Sequence, residues 1–163
     1  MKHGLLLFTL LLIVSAPVFA QTAPPLRVRA GERDVHLLAA DLARLPRRTV
    51  VTADGGRTIQ FEGVRLADLL AQAGVTFGQT LRGPRLATYV LARAGDGYQV
   101  VFALPEIDPD FAADEVIVAD RQDGAPLAAG EGPLRVVAAG DKRHARWVRG
   151  VTALEIHSAT EQP

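Results

Sequence analysis

Thr49-Val50-Val51-Thr52-Ala53, then Asp54-Gly55-Gly56, then Arg57-Thr58-Ile59-Gln60-Phe61 reads as strand, turn, strand. The two glycines between the arms can take the positive φ that a tight hairpin requires. Directly beyond, Leu66, Leu69, Leu70 and Ala73 fall on one helical face, and Gly74 stands where a C-cap belongs. A hairpin feeding one short helix sets the class of the fold, and the flanking sequence repeats the theme. Upstream, Leu26-Arg27-Val28-Arg29 alternates apolar and charged as a half-buried strand does, and Asp34 to Leu37 suits a second short strand. Leu38, Leu42 and Leu45 predict a short helix ending before Pro46. Downstream, Leu86 to Ala92 and Tyr98 to Leu104 predict a second hairpin through Gly95-Asp96-Gly97, and Pro105 to Ala113 a helical turn. Glu115 to Ala119 predicts a strand running into a turn at Asp120 to Gly124; Leu134 to Ala138 and Val151 to Ile156 supply the last strands. Strands outnumber helices and long helices do not separate them regularly. The expected fold is therefore α+β on a largely antiparallel or mixed sheet with a few short helices, not a doubly wound parallel sheet.

The chain has 163 residues and 48% hydrophobic composition, enough for one domain with a real core. Eighteen Lys+Arg balance eighteen Asp+Glu, which argues against a nucleic-acid binder, since such proteins carry a basic excess. There is no cysteine, so disulfides, thiolate metal sites, iron–sulfur clusters and a cysteine nucleophile are excluded.

The first twenty residues read as a secretory signal peptide. A short basic start at Lys2 and His3 precedes the apolar run Leu5 to Val14, which Ser15-Ala16-Pro17 breaks, and Val18-Phe19-Ala20 resembles a cleavage site before Gln21. The run is too short to span a bilayer as a helix. No arginine pair or lipoprotein cysteine accompanies it, so general secretion into the periplasm is expected, with no membrane anchor after cleavage. Residues 21–25 then form a flexible lead-in, 26–157 the single domain and 158–163 a tail.

Charge is balanced overall but segregated locally. Seven acids and one base lie between Glu106 and Asp123; five bases and one acid lie between Arg135 and Arg149. Within the basic stretch, Gly140-Asp141-Lys142-Arg143-His144-Ala145-Arg146-Trp147 follows an apolar strand, which places a cationic loop at a strand end beside the single tryptophan. Clustered guanidinium groups suit a polyanion, because they give bidentate hydrogen bonds to phosphate or sulfate oxygens. In that reading Trp147 packs on a flat heterocycle; in the other, the bases pair with the acidic stretch and Trp147 is core. His36 and His157 are isolated, so no metal site is expected from spacing. The acids lack the spacing of a calcium loop and suit a solvated face or caps. Beyond residue 20 the only serine is Ser158, which makes a Ser–His–Asp hydrolase untenable. No catalytic residue is identified.

Several segments together resemble the sulfite-oxidase-like molybdopterin-binding domains. Phe61-Glu62-Gly63-Val64 followed by Leu66-Ala67-Asp68-Leu69-Leu70 is similar to a strand–helix segment of that family, and Asp96-Gly97-Tyr98 to one of its hairpins. Asp123-Gly124-Ala125-Pro126-Leu127, Gly132-Pro133-Leu134-Arg135-Val136-Val137 and the loop from Gly140 to Trp147-Val148 follow in order, so the resemblance runs from about Leu26 to Ile156. It implies a mixed, sandwich-like α+β domain and a molybdenum–pterin dithiolene cofactor, with Lys142, Arg143, His144 and Arg146 facing its anionic phosphate and Tyr98 nearby. It also implies a cysteine thiolate on molybdenum from the segment before Phe61, yet Arg48 to Gln60 contains none. Such enzymes generally fold around their cofactor before export, which an unfolded secretion route does not allow. The expectation is thus a binding module for an anionic small molecule or pterin, without redox catalysis. The alternatives are a molybdopterin-dependent oxidoreductase and a periplasmic adaptor that docks a protein partner through its segregated charge.

Overall fold

A computed structural model describes residues 23–160. The expected signal segment, the start of the expected lead-in and the last three residues lie outside the described residues. Among the described residues, ten strands form two sheets. The first has the order β2 (Arg33–Leu37), β1 (Leu26–Ala30), β10 (Val151–Ser158), β5 (Thr88–Ala94), β6 (Gln99–Ala103). Its β1–β10 pair is parallel, with Val28 opposite Leu154; its other pairs are antiparallel. The second joins β3 (Arg47–Asp54), β4 (Arg57–Arg65) and β7 (Val116–Gln122), and β7 also pairs with the short β8 (Ala125–Pro126) and with β9 (Arg135–Ala138). Three short helices complete the fold: α1 (Ala39–Leu42), α2 (Leu66–Gln72) and α3 (Leu104–Ile107). The expected mixed α+β architecture is the observed one.

One hydrophobic cluster joins both sheets. Leu26, Val28, Val90, Phe102 and Leu154 come from the first; Phe61, Val64, Ile117, Val136 and Val137 from the second; Leu66, Leu69 and Leu70 from α2. Helix α2 packs against β4 and β7, and Val116 to Ala119 are all buried, as in a strand covered on both faces. At Gly63 the β4–β7 register shifts by one residue. A Cβ there would lie 2.6 Å from Ala119 Cα and run into the Val118 carbonyl oxygen. The glycine of the Phe61–Val64 stretch therefore serves the close approach of two strands.

Three local expectations need correction. The first helix is one turn and stops at Leu42, where the bonds tighten to Arg44 N–H on the Asp41 carbonyl at 3.2 Å and Leu45 N–H on the Leu42 carbonyl at 3.1 Å ahead of Pro46. At its start Asp41 caps the exposed Leu38 by accepting its N–H at 2.9 Å. Strand β7 runs on to Gln122, and the turn shrinks to Asp123 and Gly124, both at positive φ as a two-residue hairpin demands. The acidic stretch is less solvated than expected: Asp108 is buried, its carboxylate accepting N–H bonds from Gly78 at 2.6 Å and Asp110 at 2.9 Å. Among the described residues no helix is long and apolar enough to cross a membrane.

Candidate functional site

The loop after β9 closes on itself before it meets anything else. The Asp141 N–H bonds the Ala138 carbonyl at 3.0 Å, a single 3₁₀ turn spans His144–Arg146, and the Trp147 N–H bonds the His144 carbonyl at 2.9 Å. A Cβ at Gly140 would displace the exposed Asp114 side chain, whose carboxylate lies in its path. Trp147 anchors the loop: its indole is buried and Nε1 donates to the Ala138 carbonyl at 2.8 Å. Phe61 meets the indole edge-on at 5.5 Å, His144 stacks on it at 3.7 Å and 15°, and the Arg135 guanidinium sits 5.3 Å from its centroid. Tryptophan is thus core, with His144 as the outer layer of the stack, and its face is not open to a heterocycle.

The turn between β5 and β6 approaches the loop from the other sheet. Asp96 accepts the Tyr98 N–H at 2.9 Å, which holds the turn, and the Tyr98 hydroxyl donates to the Ala145 carbonyl at 2.5 Å. Between turn and loop lies a hollow of about 290 Å³ lined by Asp96, Tyr98, His144, Ala145, Trp147 and Arg149. Its cation is Arg149, largely exposed, with Nη1 3.3 Å from Glu131 Oε1; Glu131 also pairs with the buried Arg135. With the Tyr98 proton given to Ala145, the phenol oxygen offers lone pairs, and the free N–H groups of Arg149 are the strongest donors at the rim.

Of the residues singled out in the sequence, Tyr98 and His144 meet at this hollow. Arg146 does not. It turns the opposite way, bonding Asp141 at 2.6 and 2.8 Å and Glu106 at 3.0 and 3.1 Å, with its guanidinium 5.1 Å over the Phe102 ring. Hydrogen bonding to Asp141 raises its pKa above the ordinary arginine value; burial opposes this and Glu106 reinforces it. It lines a separate cavity of about 210 Å³ with Glu106, Asp114, Glu115 and Asp141, surroundings that repel an anion. Lys142 and Arg143 are exposed and line neither cavity. Asp96 and Arg149 were missed. Asp96 looked sufficiently explained by its hairpin turn, and Arg149 was counted in the basic stretch but falls outside the glycine-led loop.

Two packed sheets with a few short helices, the loop after β9 meeting the β5–β6 turn, define a mixed α+β domain. The oxidoreductase molybdopterin binding domain family matches residues 40–162, and the chain belongs to that family. No curated protein matches it. Among solved structures, the sulfane dehydrogenase SoxCD from Paracoccus pantotrophus matches 90% of this chain with a TM-score of 0.67 and 20% identity. At that identity the likeness establishes the fold. The match spans 41% of that protein's chain, so the present chain corresponds to less than half of it.

The residues present do not fit a thiolate-ligated molybdenum centre. No cysteine exists in the chain, and the described residues hold no group of three His, Asp or Glu placed to bind a metal ion. A high-valent molybdenum without its protein thiolate loses a strong soft ligand and the tuning that ligand provides. The hollow brings together a guanidinium, a carboxylate and aromatic rings, from Arg149, Asp96, Tyr98, His144 and Trp147.

Proposed function

We propose that this chain is an exported binding domain of the molybdopterin oxidoreductase family. It takes an anionic small molecule at the hollow between the Asp96–Tyr98 turn and the His144–Arg149 segment, without molybdenum redox chemistry. The observation that carries this reading is the convergence of Tyr98, His144 and Arg149 on one hollow in a chain that lacks the thiolate. Arg149 anchors the anion with bidentate donors, while Tyr98 and His144 form the walls. The hollow lies at the small end of the range for ligand sites, which suits a compact guest. Export rests on the layout of the first twenty residues.

Titration calorimetry with inorganic phosphate and sulfate tests the anion site. Binding weakens about tenfold or more in Arg149→Gln, falls as salt rises because the contact is partly solvent-exposed, and is unchanged in Lys142→Ala. Equal affinity in wild type and Arg149→Gln removes the anchor and the reading with it. Protein recovered from its native host begins at Gln21 and carries no stoichiometric molybdenum; one molybdenum per chain would establish the oxidoreductase alternative instead. The adaptor alternative is tested separately. Glu106, Glu115 and Asp120 are engaged within the fold by Arg146, Arg65 and Arg47, but Asp110 is exposed, and co-purification of a partner that is lost on charge reversal at Asp110 would support docking.

A further inference from the structure

The hollow holds a carboxylate as well as a guanidinium. Asp96 Oδ1 accepts the Tyr98 N–H at 2.9 Å, which fixes the side chain at the turn, and among the described residues no ion pair engages the carboxylate, which lines the hollow. Arg149 faces the same space, tethered only through Nη1 to Glu131, with its side chain 62% exposed. The two opposite charges line one hollow of about 290 Å³ yet lie too far apart to pair within 4.0 Å. Each keeps unused capacity: a carboxylate has about four lone-pair sites and a guanidinium five N–H donors. A guest that is purely anionic gains at Arg149 and is repelled at Asp96. A guest carrying an ammonium or other N–H donor at one end and an anion at the other satisfies both charges and spans the gap between them.

We propose that the hollow selects a small zwitterion, an ammonium carboxylate or ammonium sulfonate, with its ammonium on Asp96 and its acid group on Arg149. This rests on the anion reading above and names the class of ligand. The choice of zwitterion follows from charge placement. Opposite-sign partners at both ends reward one orientation, and each unpaired like-charge contact penalises a single-charge analogue. The Ala145 carbonyl and Tyr98 oxygen at the wall accept further N–H bonds from the ammonium end.

The test is a matched series at low ionic strength: β-alanine and taurine carry both charges, propionate only the anion, propylamine only the cation. Calorimetry on the wild-type chain gives the zwitterions about tenfold or more tighter binding than either single-charge probe. Asp96→Asn, which keeps the turn's side-chain acceptor, brings β-alanine down to the affinity of propionate. If propionate binds wild type as tightly as β-alanine and is lost in Arg149→Gln, the zwitterion inference falls while the anion site stands. If neither probe binds, or Arg149→Gln leaves propionate unaffected, both fall.

Discussion

Gly63 illustrates how one atom can decide a strand. Its absent Cβ lets β4 close on Val118 and Ala119 where the register shifts. Gly63→Ala forces that backbone apart and is expected to cost about 1–3 kcal/mol, the range for overpacking a tight interior. Urea unfolding with an unchanged slope measures it, and a loss below a few tenths of a kcal/mol would show that the strands yield freely. Glu155 makes a second case, in electrostatics. Burial pushes its carboxyl up, but the Arg93 guanidinium, the adjacent His157 ring and the nearby Arg29 outweigh burial, and its pKa falls below the usual value. A carboxyl depressed on folding stabilises the protein above its unfolded pKa, about 4.3. That contribution is lost as pH falls through the lower folded value. Thermal scans of wild type and Glu155→Gln should therefore show a difference in Tm that is largest above about pH 4.3 and shrinks on acidification. A gap constant down to about pH 3 contradicts the assignment. The local settings of Tyr98, on the β5–β6 turn, and of His144, in the loop after β9, were legible in the sequence. That of Arg146 was not, because an arginine's partner is set by which distant carboxylate the fold brings alongside.

At the level of elements, the sequence disclosed what periodicity and glycine control locally. The Asp54-Gly55-Gly56 hairpin, helix α2 ending at Gly74 with φ +81°, and the hairpin through Gly97 all appear where their patterns fall. It missed β8, only two residues long, because β8 depends on the edge of β7, and it overran α1, whose last turn tightens after Leu42. The clearest non-local device is the clamp made by Arg146, which ties its own loop through Asp141 to α3 through Glu106. Glu106 also accepts the Ala103 N–H at 2.9 Å, so one carboxylate caps α3 and holds the loop. All three side chains are partly solvated, which places the clamp at about 1 kcal/mol. Arg146→Met should lower stability by that amount and speed amide exchange at Trp147, while phosphate binding at Arg149 stays unchanged. The double-mutant cycle with Glu106→Gln isolates the pair, and a coupling near zero would leave the loop held by Trp147 alone.

Across the whole molecule, the two sheets share one core and β10 sits at its centre. It is the parallel partner of β1 and the antiparallel partner of β5, so the two ends of the domain are stitched into one sheet. Its Leu154 is fully buried in the cluster that also contains Trp147, which packs on Phe61 of the second sheet. No cysteine provides a crosslink, so cohesion rests on this packing and on hydrogen bonds. Leu154→Ala should therefore destabilise the protein by about 2–5 kcal/mol, the range for truncating a large buried aliphatic side chain. The loss should be felt equally in both sheets, because neither has a core of its own. Trp147, the single tryptophan, reports from the second sheet, and far-UV circular dichroism reports on all strands. In wild type and variant alike, the two signals should follow one coincident urea transition, as a single cooperative unit requires. In Leu154→Ala the shared midpoint should move down with no change in slope. If the tryptophan signal held its wild-type midpoint while circular dichroism lost amplitude early, the sheets would be separable units, and the hollow between the β5–β6 turn and the Trp147 loop would open before the protein unfolds.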